Sequence, residues 1–412
     1  MQSKRKIHVT PSDQMREIKL GCADLIGEAE LLDKLTKSYA KDQGLRVKFG
    51  ADPSRPDLHL GHSVGMNKLK LLQDFGHEIL FVIGDFTARI GDPTDKNKLR
   101  PQLSEQEIDA NVRTYEEQVF KILDREKTNV IFNSQWLNAL SPAAFIKLMA
   151  SHTIQQLLAR EDFSKRYAEQ SPLFFHELLY PVLQGYDSVH LHADIELGGT
   201  DQRFNLLFGR EMQKQAGQSP QVLLITPLLE GLDGVIKMSK SLDNYIGLAD
   251  SPKDMFGKTM SISDTHMLRF YELLSRKGQT YVEQVKDALT KGSLHPMEAK
   301  KNIAQEIVAQ YWGESEGLKA RQEFENLFSK NILPQDLVSH TLSLPETGFV
   351  NLLELSVSLG FSQSKGEARR ILQQRGMRID DEVMQNEKIE LFRQRDYIFR
   401  QGKLHMVKLS VV

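Results

Sequence analysis

Two short stretches of this chain carry residue types that could do phosphate chemistry. The first is Asp52-Pro53-Ser54-Arg55-Pro56-Asp57-Leu58-His59-Leu60-Gly61-His62, the second Lys237-Met238-Ser239-Lys240-Ser241. His59 and His62 stand three apart where a helix should open, so both rings can face an N-terminus that favours anions. Their N–H groups could donate to phosphate oxygens whose charge grows in a transition state. Gly61 lets backbone approach a ligand closely. Lys237 and Lys240 are also three apart, with hydroxyls at Ser239 and Ser241, and could close on a departing pyrophosphate. Each stretch alone has a plainer explanation. HLGH suits two helix-start histidines satisfied by backbone, or part of a zinc site whose further ligands are not evident nearby. KMSKS suits a solvated loop. Together, in this order and with 175 positions from His62 to Lys237, they point to one site that holds ATP and breaks it at the α-phosphate.

A third constellation lies between them. Tyr180, Gln184 and Asp187 fall at i, i+4 and i+7, one face of a helix, and Gly198-Gly199-Thr200-Asp201-Gln202 follows. Such a face alone is compatible with an amphipathic helix whose polar side meets water. Asp187 sits between Tyr186 and Val189, however, and a partly buried carboxylate needs a partner.

The elements that must position these residues are legible from periodicity. Arg46–Phe49 reads as a strand running into Gly50. A helix follows HLGH, with Met66, Leu69, Leu72 and Phe75 every three residues and Gly76 closing it. Ile79–Ile83 is a continuous apolar run, a strand buried on both faces. That βαβ order predicts a parallel sheet with its ligand at the carboxyl ends of the strands. Val189, Leu191, Ala193, Ile195 and Leu197 alternate with polar residues and predict a strand with one buried face. A helix from Arg203 and a strand at Val222–Ile225 complete a second unit. From Asp264 four helical segments are separated by Gly278, Gly292 and Gly313, with Pro296 just inside one of them. Asn331–Glu346 has the composition of a linker.

Composition sets the outer bounds. The 412 residues are too many for one core and predict about two to four domains. A net charge of -2 excludes a globally basic nucleic-acid coat but not local basic patches. The single cysteine, Cys22, excludes an intrachain disulfide and a four-cysteine zinc site. No window reaches the roughly 18 apolar residues of a membrane span, so a cytoplasmic location is expected.

HLGH and KMSKS together resemble the class I aminoacyl-tRNA synthetases. Through Tyr180, Gln184, Asp187 and Gly-Gly-Thr-Asp-Gln the chain resembles, over essentially its whole length, the bacterial tyrosyl-tRNA synthetases that contain KMSKS. The resemblance implies an α/β Rossmann-like catalytic domain with a connective insertion at 1–245. An α-helical anticodon-side domain at 246–332, a linker at 333–346 and a small α+β S4-like RNA-binding domain at 347–412 would follow. It implies L-tyrosine, ATP with Mg²⁺ and tRNA(Tyr) as substrates, a homodimer, and no protein-held metal.

The family's roles then fall on particular residues. Asp187 would accept the phenol; Tyr180, Gln184 and Asp92 would hold the α-ammonium; Gln202 would orient the amino acid. Asp201 would take the ribose, with Gly50, Asp52, Ser54, Gly61, Gly199 and Lys240 also on the ATP side. His59, His62, Lys96, Arg100, Lys237, Lys240 and Ser241 would stabilise the phosphoryl transfer. In the tail, eleven Lys/Arg against eight Asp/Glu give +3. Lys365, Arg369, Arg370, Arg375 and Arg378, with Arg400, Lys403 and Lys408 from the terminal hairpin, would meet RNA phosphates.

Two positions depart from the family. Lys48 stands where a tyrosine often shares the substrate hydroxyl; its ammonium could donate to the phenol, pair with Asp187, or point away. Asp95 replaces a usual glycine in the loop that carries Lys96 and Arg100. Three rival functions fit parts of the pattern; one, a small-molecule nucleotidyltransferase, would explain the ATP motifs but leaves the helical and S4-like regions without a purpose. A tryptophanyl-tRNA synthetase shares the ATP motifs, and a non-catalytic RNA-binding relative would share the scaffold.

Overall fold

The computed structural model describes residues 7–53, 58–93, 105–329, 339–345, 347–380, 382–402 and 405–412. Within it the chain forms two compact units, Met1–Gln322 and Glu323–Val412.

The first unit is built on six strands: β1 (Asp24–Ile26), β2 (Arg46–Ala51), β3 (Glu78–Ile83), β4 (Thr128–Phe132), β5 (Ile195–Gly199) and β6 (Val222–Thr226). Their order is β1-β6-β5-β2-β3-β4, with β1 antiparallel to β6 and the rest parallel. Ile79–Ile83 and Val222–Ile225 are buried throughout, because a parallel sheet is covered on both faces. The register sets Lys48 on β2 beside Glu196 on β5, a pairing that matters below.

Three helices frame the sheet's carboxyl end: α1 (Leu60–Asp74), α2 (Phe175–Leu191) and α3 (Arg203–Gln215). Leu60, Val64, Leu69 and Leu72 form the buried stripe of α1. Gly185 and Gly209 let α2 and α3 touch backbone to backbone; a Cβ on Gly185 would lie 3.2 Å from the Gly209 Cα and 2.4 Å from the Met212 sulfur.

The strand expected from Val189 is not there. Helix α2 runs to Leu191, His192 closes it in the left-handed region (φ 46°), and β5 begins only at Ile195. The alternation of apolar residues spans a helix end, a cap and a strand start, so its period of two reports no single element. The strand itself is buried on both faces from Ile195 to Gly198.

At the amino ends of β2 and β3, the helix Pro11–Lys19 is moored by a buried histidine. The Leu45 N–H donates to His77 Nδ1 (3.1 Å), which leaves the His77 proton on Nε2 to meet Gln14 Oε1 (2.8 Å). Beyond the sheet come α4 (Pro252–Ser261), α5 (Asp264–Leu274), α6 (Gln279–Thr290), α7 (Pro296–Trp312) and α8 (Glu314–Ser329). The last four are the helices expected beyond Asp264, and Gly278, Gly292 and Gly313 between them all have positive φ.

The second unit holds β7 (Ser339–Leu342), β8 (Phe349–Asn351), α9 (Leu352–Ser358), α10 (Lys365–Gln373), β9 (Met377–Ile379), β10 (Glu382–Val383), β11 (Lys388–Glu390), β12 (Asp396–Gln401) and β13 (His405–Val411). One sheet has the order β10-β9-β12-β13-β7, and β8 pairs with β11. Its core gathers Leu352, Leu353, Ala368, Leu372, Met377, Phe399 and Leu409. Strand β7 lies inside the segment expected to be linker. Its short, mixed-polarity run pairs in parallel with β13, which supplies the order that its own sequence does not signal.

Candidate active site

A cavity of about 360 Å³ opens at the carboxyl ends of β2, β3, β5 and β6. It takes in Lys48, Gly50, Asp52 and Asp92, the face Tyr180, Gln184 and Asp187, and Gly199, Asp201 and Gln202. His59, Gly61, His62 and Lys237 line it as well. Ser54, Lys96 and Arg100, with Asp95, lie outside the described residues, as does Lys403 in the second unit. Ser241 is described only in its backbone, in the turn Lys240–Leu242.

The two remote motifs meet through backbone. The Leu60 N–H donates to the Ile246 carbonyl (2.9 Å) and His59 bridges to Gly247, so the chain leaving KMSKS pairs with the start of α1. KMSKS is itself pinned: the Met238 N–H reaches the Leu229 carbonyl (2.8 Å) and the Ser239 N–H reaches Asn244 Oδ1 (2.8 Å). Lys240 lies near enough for its charge to act on both imidazoles.

The histidines cap α1 reciprocally. His59 Nδ1 accepts the Gly61 N–H (3.2 Å), and His62 Nδ1 accepts the His59 N–H (3.2 Å). A neutral imidazole that accepts at Nδ1 carries its proton at Nε2, so each ring keeps one N–H free of the cap. Burial, then His62 and Lys240, pull the His59 pKa down to about 2. Burial is also the main influence on His62, lowered to about 4. His62 is open to the cleft, where water moderates the effect, but the direction is common: both rings are neutral donors at pH 7. Among the described residues no three His, Cys, Asp or Glu are grouped to hold a metal.

Among the carboxylates that line the cavity, Asp52, Asp92 and Asp187 are each held by their own donors. Asp52 accepts Thr87 Oγ1 (2.8 Å) and the Tyr180 hydroxyl (2.9 Å). Asp92 accepts Gln202 Nε2 (2.6 Å) and Arg160 Nη2 (3.4 Å). Asp187, 4% exposed, accepts Trp136 Nε1 (2.8 Å) and Asn133 Nδ2 (3.3 Å). Burial raises the Asp187 pKa to about 6, against the opposing influence of Lys48 and the two donors. The Tyr180 hydroxyl is pushed well above its ordinary value by burial and by the acids around it, so it stays a donor.

Lys48 takes none of the partners first considered for it. Its ammonium bonds Glu196 Oε1 (2.8 Å), Ser188 Oγ (2.7 Å) and the Gln184 carbonyl (2.9 Å), and the residue is fully buried. All three protons are used, which leaves none for a phenol.

The glycines divide into two kinds. A Cβ on Gly50 would meet nothing within 4 Å, since that face is the cavity itself. A Cβ on Gly199 would come within 2.5 Å of Asp201 Oδ1, which holds the acid against the backbone.

Sequence reasoning missed Thr87, Asn133, Trp136, Arg160, Ser188 and Glu196. Asn133 and Trp136 follow β4, and the rule that ligands gather at strand carboxyl ends would have found them. Glu196 was hidden by the false alternation, which set it on a solvent face. Nothing local distinguishes Arg160.

In the second unit Lys365, Arg369, Arg370, Arg375 and Arg378 are all exposed. Lys365 pairs with Glu354 (2.8 Å) and Arg369 with Glu387 (2.7 Å). Both are surface pairs, which an incoming phosphate can replace at little cost.

A family model described as tRNA synthetases class I (W and Y) matches residues 40–329. The tyrosine–tRNA ligase of Geobacter sulfurreducens is 47% identical over 399 residues, covering 97% of this chain and 99% of that protein. The tyrosine–tRNA ligase of Bdellovibrio bacteriovorus is 46% identical over 405 residues, covering 98% and 100%. Among solved structures, tyrosyl-tRNA synthetase of Archaeoglobus fulgidus complexed with L-tyrosine superposes with a TM-score of 0.61 at 23% identity, covering 76% of this chain and 99% of that one. A C-terminally truncated mitochondrial tyrosyl-tRNA synthetase of Aspergillus nidulans gives 0.65 at 20% identity, covering 78% and 95%. At these identities the superpositions establish the fold.

Proposed function

The chain belongs to the class I tRNA synthetases of the tryptophan and tyrosine type, and within them to the bacterial tyrosine–tRNA ligases; we propose how its residues divide the reaction. It activates L-tyrosine with ATP, releasing pyrophosphate, and passes the tyrosyl group to the 3′ end of tRNA(Tyr).

In the first step the tyrosine carboxylate, ionised at pH 7, needs no general base. It attacks the α-phosphorus in line, and catalysis is positioning plus stabilisation of phosphoryl charge. The free Nε2–H groups of His59 and His62 donate to phosphate oxygens, a role supported by their neutral state and fixed tautomers. Lys237, Lys240 and Ser241, with Lys96 and Arg100, meet the departing pyrophosphate. Mg²⁺ enters with the phosphates of ATP. Asp201 takes the ribose, and Gly50, Ser54, Gly61 and Gly199 line the ATP side. Asp92, Tyr180 and Gln184 hold the tyrosine ammonium, Gln202 orients the amino acid, and Asp52 lies between amino acid and nucleotide.

Asp187 selects the phenol. The observation that carries this role is a buried carboxylate in the same cavity as Tyr180 and Gln184, on one helix face. Phenylalanine would leave that acid without its donor, the costly kind of mismatch. The test is ATP–pyrophosphate exchange with tyrosine, phenylalanine and tryptophan, on wild type and Asp187→Ala. Tyrosine alone should support exchange, and the variant should lose it. Wild-type kcat/KM for tyrosine in Asp187→Ala would remove the assignment.

The flanking parts have assignments too. Residues 246–332 and the S4-like tail 347–412, now with β7, face tRNA, with Lys365, Arg369, Arg370, Arg375 and Arg378 on its phosphates. The chain works as a homodimer through the catalytic domain. The segment between β4 and α2, with the first residue of α2, supports this: it exposes Ile146, Ile154, Tyr167, Phe174 and Phe175, apolar area that marks interaction sites. Among the described residues no helix is long and apolar enough to cross a membrane, and its tRNA substrate suits the cytoplasm.

A further inference from the structure

Beneath the phenol acceptor lies a closed polar network with no direct part in the reaction as described. Lys48 and Glu196 are side by side on β2 and β5, 0% and 1% exposed, and joined at 2.8 Å. Ser188, the residue after Asp187, ties the pair together: its hydroxyl accepts from the Lys48 ammonium (2.7 Å) and donates to Glu196 Oε2 (2.9 Å). Gln221 Nε2 donates to the same oxygen. The third ammonium proton holds the Gln184 carbonyl (2.9 Å), one helical turn before Asp187. The pair therefore grips α2 on both sides of Asp187.

A buried ion pair adds little to stability over apolar residues of like volume, so its placement asks for another reason. Both charges border the cavity that Asp187 faces. We propose that Lys48 and Glu196 are positioning residues for substrate selection: they fix the α2 turn that bears Asp187 and hold the Asp187 carboxylate charged, so that tyrosine meets an ionised acceptor throughout the neutral range. The proposal rests on Asp187 being the phenol acceptor.

The other groups around Asp187 do not supply this. From the loop after β4, Trp136 and Asn133 are neutral donors. Tyr180, on its own helix, remains protonated and is bonded to Asp52. Asp92 lies among the same acids acting on Tyr180. His190 stacks on the Trp136 ring (4.7 Å), and burial lowers its pKa. Lys48 is the cation that favours the charged form, and its influence on Asp187 outweighs the opposing one of Glu196.

The experiment compares tyrosine-dependent exchange from about pH 5.5 to 9 in wild type, Lys48→Met, Lys48→Arg, Lys48→Met/Glu196→Gln and Asp187→Asn. Wild type should lose kcat/KM for tyrosine below a break near 6. Lys48→Met should raise that break by about one to two pH units, the reach of a removed neighbouring charge. The loss should fall on KM for tyrosine and spare KM for ATP. Lys48→Arg should restore the break. The double variant buries no unpaired charge, so it keeps the test open if Lys48→Met fails to fold. Its break should lie between wild type and Lys48→Met, and above wild type. A purely structural pair would lower activity evenly and leave every break in place; that result overturns the proposal. If Asp187→Asn uses tyrosine as wild type does, the acceptor assignment fails first. If Asp187→Asn loses tyrosine while the Lys48 variants keep the wild-type break, only the role of the pair fails.

Discussion

Gly84 follows β3 and carries no functional group, yet its replacement by alanine should disable the enzyme. A Cβ there would stand 2.0 Å from Asp52 Oδ1 and 2.4 Å from Thr87 Oγ1. The backbone cannot back away: the Gly84 N–H donates to the Ala51 carbonyl (3.0 Å), and the Gly84 carbonyl accepts the Ala88 N–H (2.8 Å). The side chains must yield by about 1 Å or more to reach ordinary contact. That parts Thr87 from Asp52, now 2.8 Å apart, and swings the acid that holds the Tyr180 hydroxyl. A hydrogen bond to a charged group contributes about 1.5–3 kcal/mol. At about 1.4 kcal/mol per tenfold, Gly84→Ala should lower kcat/KM in tyrosine-dependent exchange by about 10- to 150-fold. The crowding itself should also reduce thermal stability, by about 1–3 kcal/mol. Gly50→Ala is the control, because a Cβ there meets no atom of the protein. It should melt like wild type while raising KM for ATP, whose space it would enter. Exchange by Gly84→Ala within about twofold of wild type would refute the steric reasoning and the place given to Asp52.

Two further outcomes follow from groups remote from the reaction. His77 is fully buried, and burial lowers its pKa from an ordinary 6.5 to about 4. Between these values the unfolded chain binds more protons than the folded one, so stability falls as pH drops below 6.5 and levels off below 4. The loss approaches about 3 kcal/mol. Urea unfolding at neutral and acid pH should show this loss in wild type and less of it in His77→Gln; equal losses would remove His77 as the cause. Truncation after residue 338 removes β7 together with its partner β13. It should leave exchange within about twofold of the full chain and cut tRNA charging by about tenfold or more, chiefly at low salt, where phosphate contacts contribute most. Undiminished charging would argue against RNA contacts from Arg370, Arg375 and Arg378.

The chemistry was more legible than the packing, for a physical reason. A triphosphate asks for donors, cations and bare backbone, and those needs select residue types that stand out in any sequence. His59, His62, Gly61 and Lys237 were recognisable because their roles depend on what they are. The pocket proposed for the phenol is different. Asp187 could be picked out by helical spacing, but what it rests on is decided by which strands are neighbours. Lys48 and Glu196 meet only because β5 lies beside β2 in this register, and no periodicity states that order. The same limit explains the false strand at Val189. A helix that ends in a left-handed histidine and re-enters the sheet three residues later can mimic alternation. Strand β7 failed for the converse reason, since pairing with β13 gives it order that its composition conceals.

The arrangement of charge then orients the substrates without any one group having to do so. Asp52, Asp92 and Asp187 crowd one part of the cavity, each held by hydrogen bonds from fixed donors. The described cations of KMSKS and the free Nε2–H groups of the two histidines belong to the HLGH side. An amino acid entering such a cleft finds its ammonium drawn to the acids and its carboxylate repelled by them. The carboxylate is turned toward the donors, where the proposed division of the site puts the α-phosphate. Orientation of that kind can supply a large part of a rate enhancement when the nucleophile needs no deprotonation. It also accounts for neutral rather than cationic histidines beside KMSKS. Two further positive charges beside Lys237 and Lys240 would repel them in the empty site, whereas neutral donors cost the resting enzyme nothing and still meet the charge that develops on phosphate.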